Sequence, residues 1–263
     1  MITRSLDKAK KAYKSKSAKD TVAAHNAKSS QENHSAQGQY IKSAVYGGLD
    51  GIITTFAVVA GVAGAELAAG VVLILGFANL IADGLSMAIG DFLSTKSENE
   101  YHKAEREREA WEIENYPEGE KKELVELYTD KGMTKKDAET IVGLISKNKN
   151  TWVDIMMVEE LGIIESTESP LKNAVVTFLS FAAFGLIPIL AYVLAYPIAF
   201  FRENTFAVAC ALTLLTLFTL GAVKVKVTGK NFFKSGLETV SVGGLAAFAA
   251  YLVGHLLRGL AGA

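Results

Sequence analysis

Acidic side chains, two methionines and a histidine recur in this sequence at intervals that gather them on helix faces, and such groups are suited above all to holding divalent cations. Glu98, His102, Glu105, Glu109 and Glu112 are spaced four, three, four and three, which puts all five on one side of a helix turning ~100° per residue. Like charges stacked this way repel by about 0.2–0.5 kcal/mol per pair. Farther on, Glu120 and Glu123 share a face of the next helical stretch. In TWVDIMMVEELGI, Met156 precedes Glu160 by one turn, with Met157 and Glu159 beside them. A glutamate-rich helix is ordinarily a solvated surface. What points to a metal site is the coincidence of Glu105, Glu109 and Glu112 with Glu120, Glu123, Met156 and Glu160 in three helices joined by short turns. Clustered carboxylates suit hard divalent ions, and a thioether shifts the preference toward softer transition metals such as Fe(II) and away from Mg or Ca.

A second set lies in apolar surroundings. The run YGGLDGIITTFAVVAGVAGAELAAGVVLILGFANLIADGLSMAIGDFLS, from Tyr46 to Ser94, contains two membrane-length segments that carry Asp50, Asp83 and Asp91. An aspartate at mid-membrane costs about 2.5–3.5 kcal/mol even on the mildest scale, so these carboxylates need a reason to be there. Asn79, Asp83, Met87 and Asp91 recur every fourth residue and form one slowly drifting stripe. No lysine lies inside either segment to pair with Asp50 or Asp83, which favours ion passage over a structural ion pair. Asp91, near the end of its segment, is expected on a solvated face.

The elements that must position these groups follow from hydropathy. Half of the 263 residues are hydrophobic and the formal net charge is −1, a balance that fits neither a disordered tail nor a nucleic-acid binder. Apolar runs at about 41–65, 71–95, 171–195, 206–227 and 237–257 are each long enough to span hydrocarbon. The expected fold is an all-α membrane protein with five transmembrane helices and a cytosolic helical metal-binding insert between spans two and three. Its parts are a polar amino-terminal tail (1–39), spans one and two (40–96), the Glu/Met-rich insert (97–169) and spans three to five (170–263).

Within the insert, Pro117 and Gly119 break the first helix, Lys131-Gly132 closes the second, and Thr134 with Asp137 reads as a helix start. In span one, Gly47/Gly51, Ala57/Gly61 and Ala60/Gly64 are four apart, a spacing that lets a second helix approach closely, in the same chain or in a second subunit. Pro188 is expected to kink span three. The single cysteine, Cys210, excludes a disulfide framework and is expected to be inert packing. Residues 1–39 contain no signal-type apolar core. Their lysines, the insert and the Lys224, Lys226, Lys230, Lys234 cluster fall on one side of five spans, leaving Arg202 and Arg258 opposite; the positive-inside rule makes that lysine-rich side cytosolic.

YGGLDGIITTFAVVAG followed by ADGLSMAIGDFLS, the insert with WEIE and EGEKKELVELY, and then DIMMVEELG together resemble the vacuolar iron transporter family, which includes yeast iron and manganese transporters. The resemblance runs from Tyr40 onward. It implies a multi-pass homodimer, paired through spans one and two, that moves Fe(II) and Mn(II), with Zn(II) or Co(II) as further candidate cargo, out of the cytosol in exchange for protons, without a prosthetic group. It implies a membrane metal site at Asp50 and Met87, and insert ligands at Glu109, Glu112, Glu120, Glu123, Met156 and Glu160; the helical stripe adds Glu105. The membrane is the vacuolar one in a eukaryote and the inner one in a bacterium. Where plant members have an aspartate and a glutamate, this chain has Ser43 and Asn79, and Asp83, one turn from Asn79, can replace the missing carboxylate.

Two other readings use the same residues. A membrane-anchored di-iron carboxylate oxidase needs Glu-x-x-His pairs, but Glu98 and His102 are four apart and no other His follows a Glu by three. A metal sensor with passive spans predicts binding by the insert without flux.

Overall fold

The computed structural model describes residues 11, 13–25, 40–164, 168–223 and 231–260. Lys8, Lys10, Lys28, Lys224, Lys226 and Lys230, used in the orientation argument, lie outside these residues. The described chain forms helices α1 (Ala18–His25), α2 (Ile41–Gly64), α3 (Ala69–Asn115), α4 (Pro117–Asp130), α5 (Lys135–Ile145), α6 (Lys149–Glu159), α7 (Pro170–Leu194), α8 (Ala199–Glu203), α9 (Thr205–Val223) and α10 (Phe232–Leu257), the last running into a 3₁₀ turn at Arg258–Leu260. Five of them, α2, α3, α7, α9 and α10, are long and apolar enough to cross a membrane. The protein is therefore all-α with five membrane-length helices, as hydropathy requires. Pro188 is accommodated inside α7.

The main departure from expectation is α3. Span two and the first insert helix are one uninterrupted helix of 47 residues, about 70 Å long at 1.5 Å per residue and so more than twice the hydrocarbon thickness. Nothing in the sequence stops it at Ser94: no proline occurs before Pro117, and the polar half carries Lys96–Glu100 and Lys103–Glu107 ion pairs one turn apart. The break comes at Tyr116, and Pro117 takes the first position of α4, where its missing N–H costs nothing.

The chain divides into two compact units, Met1–Leu80 with Leu179–Ala263, and Ile81–Phe178. In the first, α2 packs on α9 and α10 around Phe56, Val59, Ala60, Val72, Ala191 and Ala209. The small-residue face of α2 is what permits this. A methyl group at Gly254 of α10 would collide with the Gly61 carbonyl, and one at Gly51 would collide with the backbone of Phe181 in α7. Asn79 of α3 donates through Nδ2 to the hydroxyls of Thr54 (3.3 Å) and Thr55 (3.4 Å) on α2. Apolar side chains such as Ile74, Ile81 and Leu85 point outward from α3.

In the second unit, α4, α5 and α6 pack on one another over Ile113, Leu124, Val142, Trp152, Val153, Met156 and Met157. Thr134 caps α5 by accepting from the Asp137 N–H at 3.2 Å, and Asn148 caps α6 by accepting from the Thr151 N–H at 3.1 Å. Gly132 and Gly162, at φ +98° and +66°, turn the chain after α4 and α6. Asp91 departs from the expected solvated face: it is half-buried and accepts a hydrogen bond from the Thr177 hydroxyl of α7. One turn along, Asn173 of α7 donates to Thr95 at 3.1 Å. Two polar rungs thus join these antiparallel helices where the hydropathy profile ends.

Candidate metal centre

Three elements supply carboxylates to one place. On α3, Glu109 and Glu112 are one turn apart on the face turned to α4; on α4, Glu120 and Glu123 are one turn apart again; Glu160 caps the C-terminus of α6. Carboxylate oxygens of Glu109, Glu112 and Glu120 all lie within 4.8 Å of one another, and so do those of Glu120, Glu123 and Glu160. Glu120 belongs to both triads, so the five groups form one contiguous cluster with Glu120 at its centre.

The fold brings them together through turns that are legible locally. Pro117 reverses the chain so that the first turn of α4 lies beside the last turns of α3. The core residues Leu124, Val142, Trp152 and Val153 then seat α6 against α4. Ion pairs Arg106–Asp154 and Lys149–Glu114 tie α6 to α3, and Lys131–Glu159 ties its end to the cap of α4. Such exposed pairs contribute about 0.2–1 kcal/mol each, so the apolar core does most of the positioning.

Electrostatically the carboxylate cluster is under stress. Glu109 is 0 % exposed and Glu120 6 %. Neither oxygen of Glu109, nor Oε2 of Glu120, finds a hydrogen-bond donor. Buried ionised carboxylates without donors or counterions are unfavourable by several kcal/mol, so such a group takes up a proton or a cation. Burial first, then the adjoining Glu120 carboxyl and the charges of Glu160 and Glu112, push Glu109 up to about 8. Glu120 is raised by burial and by the charges of Glu123 and Glu112. Glu160 is raised by partial burial and by Glu123 and Glu120. A divalent cation among these oxygens would replace the protons, supply the missing counter-charge and satisfy the orphaned acceptors. The donor set is all oxygen, which suits Mn(II) and Fe(II) as well as harder ions.

Of the sequence-derived insert residues, Glu109, Glu112, Glu120, Glu123 and Glu160 are brought together. Glu105 is not in either triad; its Oε2 accepts from Arg108 Nη2 at 2.9 Å and Nε at 3.0 Å. Met156 is fully buried in the apolar core, one turn before Glu160. Arg108 is the residue that carboxylate-seeking passes over, although its spacing of three from Glu105 and four from Glu112 announces it. In the apolar helices, Asp50 and Asn79 belong to the first compact unit and Asp83 and Met87 to the second. Asp50, Asn79, Asp83 and Met87 are each half-buried.

Comparison with known proteins identifies the family. A protein of Toxoplasma gondii named vacuolar iron transporter is 40% identical over 274 aligned positions, covering 99% of this chain and 91% of that one. One of Plasmodium falciparum with the same name is 38% identical, with 98% of each chain covered. Vacuolar iron transporter 1 of Arabidopsis thaliana is 31% identical over 86% of this chain and 90% of its own length. The family model described as VIT family matches residues 41–255, a stretch that takes in the carboxylate cluster and the membrane-length helices up to near the end of α10, and the chain belongs to that family.

Proposed function

We propose that this protein is a membrane transporter of divalent transition metal, moving Fe(II) and also Mn(II) out of the cytosol in exchange for protons. The observation that carries the reading is the pair of buried, donor-less glutamates, Glu109 and Glu120, at the centre of a five-carboxylate cluster in a chain with five membrane-length helices. The names of its relatives supply the cargo metal.

In this mechanism the cytosolic insert gathers the ion. Glu109, Glu112 and Glu120 on one side, and Glu120, Glu123 and Glu160 on the other, provide two overlapping oxygen cradles, and Met156, one turn before Glu160, is the candidate sulfur ligand. A metal arriving there releases the proton that burial holds on Glu109, so capture is opposed by acid. Asp50, Asp83, Asn79 and Met87 in the first two spans are the candidates for passage through the bilayer. A carboxylate partly withdrawn from water binds either a proton or a metal ion, which is the exchange an antiporter needs. The outward apolar face of α3 supports contact with lipid or with a second subunit of a homodimer paired through spans one and two.

Proteoliposomes with an acidic interior are expected to take up Fe(II), with loss of internal protons. Asp50→Asn is expected to abolish uptake while the insert still binds metal. Metal binding without any flux from the native protein would replace transport by sensing.

A further inference from the structure

Resting on the metal-binding reading above, we propose that Arg108 is a built-in stand-in for the cargo ion: its guanidinium holds Glu112 while the cluster is empty and releases it to the metal, remaining parked on Glu105.

Glu112 belongs both to the pairing with Arg108 and to a carboxylate triad. Its Oε2 accepts from Arg108 Nη1 at 2.6 Å, and it also contributes an oxygen to the triad with Glu109 and Glu120. A guanidinium cannot shed its proton at any relevant pH, so on metal arrival its charge must move away rather than be neutralised. The geometry shows which end moves. Two nitrogens, Nε and Nη2, are engaged on Glu105, whereas a single nitrogen, Nη1, reaches Glu112. Letting go of Glu112 costs one contact and leaves the two on Glu105. Arg108 is 43% exposed in its side chain, so the displaced end has water to turn into.

Glu105 then has a different role from its neighbours. It shares their helical stripe, yet it joins neither carboxylate triad. It is a positioning residue that keeps the guanidinium next to the site without letting it settle wholly on Glu112. The consequence for transport is an affinity kept moderate by an internal competitor, which suits a site that must hand its ion on.

Calorimetric titration of the full-length protein in detergent with Mn(II), at fixed pH and ionic strength, tests this. Arg108→Gln is expected to bind Mn(II) about two- to fivefold tighter, the range one partly exposed ion pair commands, with Arg108→Lys in between. Glu105→Gln is expected to bind more weakly in the native background and to have no effect in the Arg108→Gln background. The thermal midpoint of the metal-free protein is expected to fall in Arg108→Gln while that of the Mn(II)-saturated protein does not, a difference that a purely structural arginine would not produce. Equal or weaker binding by Arg108→Gln overturns the exchange. So does a Glu105→Gln effect that persists without Arg108, since Glu105 would then be a ligand. Absence of Mn(II) binding by the native protein removes the exchange together with the metal reading beneath it, whereas native binding with an unaltered Arg108→Gln removes the exchange alone.

Discussion

The two compact units use opposite solutions for close approach between helices. In the membrane-length helices of the first unit, contact is made by taking side chains away: Gly61 and Gly254 let α2 and α10 touch backbone to backbone, and Gly51 does the same toward α7. Its polar contacts include the neutral bonds of Asn79 to Thr54 and Thr55 and the Arg258–Glu66 ion pair. In the second unit, helices meet through large apolar side chains, and next to that core the chain assembles five carboxylates, two of them buried, without enough donors to satisfy them. The first arrangement brings helix backbones into direct contact. The second retains a deficit that a proton or a cation would remove, and such a perturbed carboxylate cluster is a candidate binding site.

The comparison can be broken most directly at Glu109. Glu109→Ala is expected to weaken Mn(II) binding by about 100-fold or more, as loss of a ligand from a multidentate carboxylate site does, measured by calorimetry. Glu109→Leu should do the same and yet raise the thermal stability of the metal-free protein by about 1–3 kcal/mol, because it removes a buried acceptor that has no partner. A Glu109→Leu protein that binds normally, or melts earlier without metal, would refute the deficit.

Gly254→Val tests the other unit. The added atoms meet the Gly61 carbonyl, and the expected cost is about 1–3 kcal/mol of stability, seen as an earlier thermal transition, with Mn(II) affinity of the insert unchanged.

Proton competition gives the next effect. With Glu109 held at about 8, Mn(II) affinity is expected to fall about tenfold per pH unit below that value for each proton displaced. The metal-free protein behaves in the opposite sense. Glu109 titrates higher in the folded state than the ordinary value of 4.5, so the folded state binds the extra proton between those limits. Its stabilising contribution is complete below pH 4.5 and is lost as pH rises toward 8. Thermal melts across this window, with Glu109→Gln as a flat reference, check the sign.

The smallest expected effect is Thr134→Ala, which removes the cap of α5 and costs about 1 kcal/mol by thermal melt, with the carboxylates left in place.

Much of this was legible in one dimension. Long apolar runs fix helices in hydrocarbon, because an unpaired backbone group there is too costly for any other spanning conformation. The ends of the insert helices were readable from Pro117, Gly132 and Thr134 because capping and φ restrictions are local. The spacing of Glu105, Glu109 and Glu112 follows from helical periodicity alone. The continuity of α3 through Ser94 was not read, since a change from apolar to charged side chains alters the surroundings of a helix without providing anything to stop it.

Tertiary structure alone decided which acids became buried. A stripe at three- and four-residue intervals runs the whole length of a helix face, and only the placement of α4 and the C-terminal end of α6 determines where it is covered. That placement buried Glu109 among other carboxylates and left Glu105 to an arginine on its own helix. Burial and charge pairing depend on what a partner segment brings across space, and this is why residues of identical type and spacing ended with different chemistry.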